Sequence, residues 1–151
     1  MNAIRNFVQL TGRIATSGQP LPEQFEMIAE AGYVAVINLA LPDHVDAYVE
    51  EGAIVTRLGM TYVHIPVPFD APEPRHWRQF RDVMNALENE KVFVHCIMNY
   101  RVSVFLLHYL QRSQHLSEAD ARSPMFDRWQ PDEVWQGVLN WTDADLDGCQ
   151  K

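Results

Sequence analysis

In HCIMNYRVS, His95 through Ser103, a cysteine and an arginine stand with four residues between them, directly after the apolar run Val92-Phe93-Val94. A cysteine placed there on its own reads as a small buried hydrophobe. Its neighbours widen the chemistry on offer. A loop that carries a strand into a helix N-terminus presents backbone N–H groups to one concavity, which favours anions and lowers the pKa of a thiol. Arg101, in the first turn of the following helix, adds a permanent planar cation suited to two-point contact with an oxyanion. Ser103 adds a hydroxyl. Together these types offer a thiolate nucleophile, Cys96, with its own oxyanion cradle from Ile97, Met98, Asn99, Tyr100, Arg101 and Ser103. Two reactions use such a loop: attack on phosphorus through a phosphocysteine, and sulfur transfer through a persulfide. A third reading keeps the cradle without the reaction, as a module that binds oxyanions or phosphoproteins.

Attack on phosphorus releases an alkoxide or phenoxide that needs a proton, which a carboxylic acid on a neighbouring loop can give. Asp70, in PFDAP, follows an apolar run and precedes Pro72 and Pro74. Its plainer reading is a turn-forming aspartate beside prolines. Glu73 and Asp43 are the fallback acids. A sulfur carrier has no need of this proton, so Asp70 is the residue that separates the two reactions. The six histidines are scattered singly, with no H-E-x-x-H, and no metal site is expected. His95 reads as a satisfied structural residue. With no G-x-x-x-x-G-K-[ST] and no G-x-G-x-x-G, no cofactor is implied.

Positioning these groups requires strands that end on one edge. YVAVINLA (33–40) is a continuous apolar run with β-branched residues, the pattern of a strand buried on both faces, while TYVHIPVPF (61–69), ended by Pro66 and Pro68, and KVFVHC (91–96) predict two more strands. Ahead of them, LPEQFEMIAEAG (21–32) has Pro22 for a first turn and Gly32 for a stop. AYVEEGAIVTRLG (47–59) predicts a second, less regular helix. Trp77, Phe80, Met84 and Leu87 recur at helical spacing and predict an amphipathic helix over 74–89, its aromatics core rather than a binding stripe. VSVFLLHYLQR (102–112) is apolar on nearly every side and predicts a central buried helix. Residues 113–151 predict one or two short helices carrying Trp135 and Trp141, then a frayed tail. Strands alternating with helices imply an α/β fold with a mainly parallel sheet flanked by helices. Ligands in such folds gather outside the carboxyl ends of the strands, where Cys96 stands.

The bulk properties bound the remaining possibilities. A chain of 151 residues with 47% apolar content predicts one domain, 1–151, with a proper core. A formal charge of −8, with no basic stretch to offset it, argues against nucleic acid as a partner. An anionic ligand must then be held locally, by oriented amides and a few arginines. Cys96 and Cys149 are far apart and form no C-x-x-C, which argues against a disulfide framework or zinc cluster and fits a reducing compartment. MNAIRNFVQL is too short in apolar run for a signal peptide, and no run of membrane-spanning length appears. The expectation is a cytoplasmic protein without a membrane partner.

The quoted motifs also carry a family resemblance. The His-Cys pair, short loop and arginine resemble the cysteine-dependent protein phosphatase superfamily, and VPFDAPEP resembles the segment bearing the general-acid aspartate in its dual-specificity branch. TSGQPLPEQFEMIAEAGYVAVINLA, with its S-G-Q-P opening and I-N-L strand, is similar to the bacterial beta-lactamase-hydrolase-like phosphatase-like domain family. The similarity runs over roughly residues 15–112. Three departures from the superfamily pattern stand out. CIMNYR has four intervening residues where most cysteine phosphatases have five; four is the length in rhodanese-type sulfurtransferases and in the narrower bacterial group. Asn99 stands where that group usually has glycine, and Val102 separates Arg101 from Ser103. The resemblance implies a cysteine-phosphatase-like fold and hydrolysis of a phosphorylated small molecule or phosphoprotein, phosphotyrosine among the substrates. It casts Cys96 as nucleophile, Arg101 as oxyanion ligand and Asp70 as general acid.

Overall fold

Val92–His95 is buried along its whole length because it runs through the middle of a sheet covered on both faces. The computed structural model describes residues 1–148. Five strands form one sheet in the order β1-β2-β5-β3-β4: β1 (Val8–Gln9), β2 (Ile14–Ser17), β3 (Ala35–Asn38), β4 (Thr61–His64) and β5 (Val92–His95). All neighbours pair in parallel except β1, which is antiparallel to β2. The helices are α1 (Phe25–Glu30), α2 (Glu51–Arg57), α3 (Pro74–Ala86), α4 (Tyr100–Arg112), α5 (Glu118–Ala121), α6 (Glu133–Leu139) and α7 (Asp143–Asp147). The fold is thus the expected α/β arrangement, a mainly parallel sheet flanked by helices.

Strand side chains alternate between faces, and here the alternation divides the core. Val92 and Val94 of β5 join Ile14, Ile37, Trp77, Phe80, Phe105 and Trp135 in one cluster, under α3, α4 and α6. Phe93 joins Ala15, Val36, Phe25, Ile28 and Val55 in the other, against α1 and α2. Two residues on from Phe93, His95 must face the α1–α2 side, whereas Cys96 packs with the larger cluster. Helix α4 is buried over most of its thirteen residues, as its unbroken apolar run requires. The stripe on α3 is core as well: Trp77, Phe80 and Met84 are fully buried.

Several elements differ from the sequence reading. The β1–β2 hairpin was not among the expected strands, because two residues and the half-polar Ile-Ala-Thr-Ser make a weak pattern. All four residues of β2 are nevertheless buried, paired in parallel with β5. The helix expected over 47–59 is confined to α2. The residues before it make only isolated turns, such as Ala47 N–H to the His44 carbonyl. The 21–32 segment opens as a 3-10 turn at Pro22–Gln24 before becoming α1. After α4 come three short helices and a second 3-10 turn, Pro124–Asp127. α7 lies where a frayed tail was expected, tied down by Arg112 to Asp143 and Asp147 and by Arg78 to the Asp145 carbonyl. The last of that tail, with Cys149, lies outside the described residues. Among the described residues no helix is long and apolar enough to cross a membrane.

Candidate active site

Because β2, β3, β4 and β5 run parallel, their carboxyl ends deliver four segments to one edge: Gly18-Gln19, Leu39–Leu41, Ile65–Phe69 and the cysteine loop. A cleft of about 470 Å³ opens there. Cys96, Ile97, Met98, Tyr100 and Arg101 line it from the loop, Phe69 and Asp70 from the segment after β4, and Leu41, Asp43 and His44 from the segment after β3. The structure therefore brings Cys96, Arg101 and Asp70 to one cavity from separate parts of the chain.

The loop's conformation follows from where its carbonyls are tied. His95 Nδ1 is 2.9 Å from the Cys96 carbonyl oxygen, Gln19 N–H donates to that of Ile97 at 2.9 Å, and Asn6 Nδ2 to that of Met98 at 2.9 Å. The Ser103 hydroxyl and N–H both donate to the Asn99 carbonyl. A peptide plane whose carbonyl is held outward turns its amide the opposite way. No backbone acceptor among the described residues takes the amides of Ile97, Met98, Tyr100 or Arg101. Unpaired amides in succession at a helix start form a concavity for an anion.

Two residues make this turn possible. Asn99 has φ +69°, the left-handed conformation that asparagine tolerates better than most residues. Its Nδ2 also donates to the Asn6 carbonyl and to Thr16 Oγ1, each at 2.9 Å, so the side chain pegs the turn to β2. Gly18 lies so close behind the loop that an added Cβ would collide with the Ile97 carbonyl oxygen. The S-G-Q-P opening thus has a local reason: glycine admits the loop and the next amide holds it.

Arg101 is only 6% exposed. Its Nη1 donates to the Val67 carbonyl at 2.8 Å, and its guanidinium carbon lies 5.6 Å from the centre of the Phe69 ring. Nε is buried and has no acceptor among the described residues. The cation is thus clamped on one side and unmatched on another, at the wall of the cleft. Ser103, by contrast, spends its hydroxyl on the Asn99 and Tyr100 carbonyls and does not line the cleft.

Asp70 is exposed at the cleft wall on an irregular loop. The loop is anchored one residue earlier: Trp135 Nε1 donates to the Phe69 carbonyl at 2.7 Å, and the two rings stack with centroids 5.6 Å apart. Of the fallback acids, Asp43 shares the cleft. Glu73 does not line it, and its carboxylate pairs with Arg75 at 3.3 Å at the start of α3.

Sequence reasoning missed the support behind the loop. Glu51, 2% exposed, places Oε2 2.6 Å from His95 Nε2 and accepts from Gln19 Nε2 on Oε1 at 2.8 Å. Burial pushes the Glu51 carboxyl up, but the charge of His95 and hydrogen bonds from His95 and Gln19 outweigh it and hold it below its ordinary value. Nearby, burial and then the charge of Glu51 push the Tyr62 hydroxyl up to about 12. The available signal was Glu51 itself, an acid four residues before the fully buried Val55, on a stripe meant for apolar residues. The two tryptophans were also missed as site supports. Trp129 stacks on Tyr100 of the loop at 4.4 Å, the rings nearly parallel, as Trp135 stacks on Phe69.

A parallel sheet with a cysteine loop entering its central helix defines a cysteine-phosphatase-like α/β protein, and comparison with solved structures agrees. The chain superposes on the Shewanella putrefaciens CN-32 protein named "Putative phosphatase (DUF442)" with a TM-score of 0.81, at 33% identity over 91% of each chain. It belongs to that DUF442 family. More distantly it shares its fold with the core catalytic domain of the PP-IP phosphatase SIW14 from S. cerevisiae, solved with citrate. That match has a TM-score of 0.72 and 14% identity, over 96% of this chain and 90% of the other. It also shares its fold with a cysteine-to-serine variant of P. aeruginosa TpbA in complex with pTyr. The TM-score there is 0.62 and the identity 15%, over 93% of this chain and 77% of the other. No protein-family model matches the chain, and no curated protein matches it.

Proposed function

We propose that this protein hydrolyses phosphomonoesters through a phosphocysteine on Cys96. The observation that carries the reading is the meeting in one cleft of a thiol, a guanidinium whose Nε lacks an acceptor, and a carboxylate from a separate loop. Cys96 as thiolate attacks phosphorus; the S–P bond forms as the ester P–O bond breaks, and Asp70 gives its proton to the departing oxygen. The amides of Ile97, Met98, Tyr100 and Arg101 and the Arg101 guanidinium hold the equatorial oxygens. Water then attacks phosphorus, the Asp70 carboxylate takes its proton, and the S–P bond breaks, returning the thiolate and releasing inorganic phosphate. Ser103 serves this cycle by fixing the Asn99 carbonyl. The walls from Leu41, Phe69, Met98 and Tyr100 suit an aryl leaving group, and phosphotyrosine, found bound to the TpbA variant, fits that description.

Mixing the protein with an aryl phosphate, quenching in acid and mapping the adduct by mass spectrometry tests the proposal. The expected result is a phosphate on Cys96 that is absent from Cys96→Ser. The sulfur-carrier reading predicts something else: thiosulfate adds one sulfur atom to Cys96, cyanide releases it as thiocyanate, and aryl phosphate is left intact at every pH. That pattern would overturn the phosphatase reading.

A further inference from the structure

His95 faces acceptors on both ring nitrogens. Nδ1 meets the Cys96 carbonyl oxygen at 2.9 Å and Nε2 meets Glu51 Oε2 at 2.6 Å, with His95 fully buried. A carbonyl can only accept, so Nδ1 carries a hydrogen to bond the Cys96 oxygen, and facing an ionised carboxylate Nε2 carries one as well. The other Glu51 oxygen is occupied by the Gln19 amide, whose second hydrogen goes to the Pro20 carbonyl. The same Gln19 donates its backbone N–H to the Ile97 carbonyl. One carboxylate thereby governs two of the tethers that turn the loop amides inward, through His95 and through Gln19.

We propose that Glu51 is a positioning residue for the cysteine loop: it keeps His95 doubly protonated, so that Nδ1–H fixes the Cys96 carbonyl and the imidazolium charge lies behind the anion cradle. The inference rests on the loop being an oxyanion cradle. Three other groups face the pair, and two of them, Tyr62 and His64, act on its Glu51 side. From α1 comes the Phe25 ring, tilted at 6.2 Å from His95. From β4 come Tyr62, which accepts from Asn38, and His64, which is bonded to the Ala40 carbonyl. The depressed Glu51 carboxyl agrees with an ionised acid at this buried position. Burying the pair is worthwhile only if both partners stay and keep their hydrogen bonds. Its place, one peptide from the nucleophile, converts that constraint into loop geometry.

Glu51→Gln is the informative variant. Its side chain keeps the shape, still accepts from Gln19 and can donate to a neutral His95 Nε2, so the tethers survive while the charge goes. Two measurements are made at neutral pH: nitrogen NMR of the His95 ring, and affinity for vanadate, a probe that needs no turnover. In the unaltered protein both ring nitrogens should be protonated; in Glu51→Gln one should lose its proton and vanadate affinity should fall about tenfold, the lower end of what removing a neighbouring unit charge does to an ionic equilibrium. If Glu51→Gln does not fold, the paired variant Glu51→Gln with His95→Asn, which leaves no buried charge unmatched, supplies the comparison, and the same loss of affinity is expected. A singly protonated His95 in the unaltered protein overturns the proposal. So does unchanged vanadate affinity once the ring charge is gone. An unaltered protein that binds vanadate, carries the doubly protonated ring and still fails to hydrolyse any aryl phosphate sinks the hydrolase reading and leaves this one standing.

Discussion

At the scale of single residues, Asp70 and Asn99 carry the sharpest consequences. Asp70 lines the cleft with Cys96, while Glu73 is engaged with Arg75 at the start of α3. Asp70→Asn should slow aryl phosphate turnover by about 10²-fold or more and remove the basic limb of the rate profile, as loss of a general acid does. Glu73→Gln should leave turnover near the unaltered level. Steady-state kinetics across pH decides it, and a silent Asp70→Asn beside an impaired Asp43→Asn would move the acid to the other wall. Asn99 tests the loop without reference to chemistry. Asn99→Ala puts a Cβ residue with no local hydrogen bond into a left-handed turn, at a cost of roughly 1–2 kcal/mol for the backbone alone, and it also loses the pegs to Asn6 and Thr16. Asn99→Gly loses only the pegs, so thermal melting should rank it between the unaltered protein and Asn99→Ala. Equal melting of the two variants would mean that the pegs, and not φ, hold the turn. The sequence made this loop legible because its chemistry is local: thiol, turn residue and cation within one short stretch. It hid Glu51, whose partner His95 is 44 positions away and whose role exists only once α2 packs on β5.

At the scale of elements, what could be read was what repeats. Long apolar runs gave β3, β5 and α4, and helical spacing gave α3, because burial on a regular element leaves a periodic trace. The β1–β2 hairpin left none. Its strands are short, and Thr16 and Ser17 are buried on the strength of tertiary bonds, such as Thr16 Oγ1 accepting from Asn99. The region after α4 was legible as short helices but not in what they touch, which is the reason for them. Trp135 on α6 holds the loop of Asp70 through the Phe69 carbonyl and ring, and Trp129 backs Tyr100. This makes α6 the support of the loop that carries Asp70. Trp135→Phe keeps an aromatic ring against Phe69 but removes the donor to its carbonyl. Denaturant melts should show a loss of about 1–2 kcal/mol, the range for an orphaned partner of a part-buried hydrogen bond. Turnover of an aryl phosphate should fall through kcat with KM nearly constant, by less than the loss in Asp70→Asn, since the acid is loosened and not removed. A fall confined to KM would make α6 part of the binding surface instead.

At the scale of the whole molecule, the charge of −8 sets the field in which the cleft works. The cradle offers one guanidinium and a set of amides, and its walls carry Asp43, His44 and Asp70 among apolar side chains. An anion is therefore attracted only at short range, by groups it touches, and is repelled at long range by the rest of the protein. The two contributions respond differently to salt. Contacts inside a buried cradle are screened little, whereas repulsion across solvent is damped as the Debye length shrinks from about 30 Å at 0.01 M to about 10 Å at 0.1 M. Raising sodium chloride over that range should consequently lower KM for an aryl phosphate dianion and leave kcat almost unchanged, the reverse of an enzyme that gathers its substrate with a basic surface. The same field ranks substrates. A multiply phosphorylated ligand would bring extra negative charge to carboxylate-bearing walls with no second arginine among the cleft-lining residues, so its KM should be higher than that of the aryl monoester and should drop more steeply with salt. Initial rates with an aryl monophosphate and an inositol polyphosphate, each at low and moderate sodium chloride, measure both effects. A KM that rises with salt for either substrate would mean that a basic surface, and not the short-range cradle alone, brings the anion in.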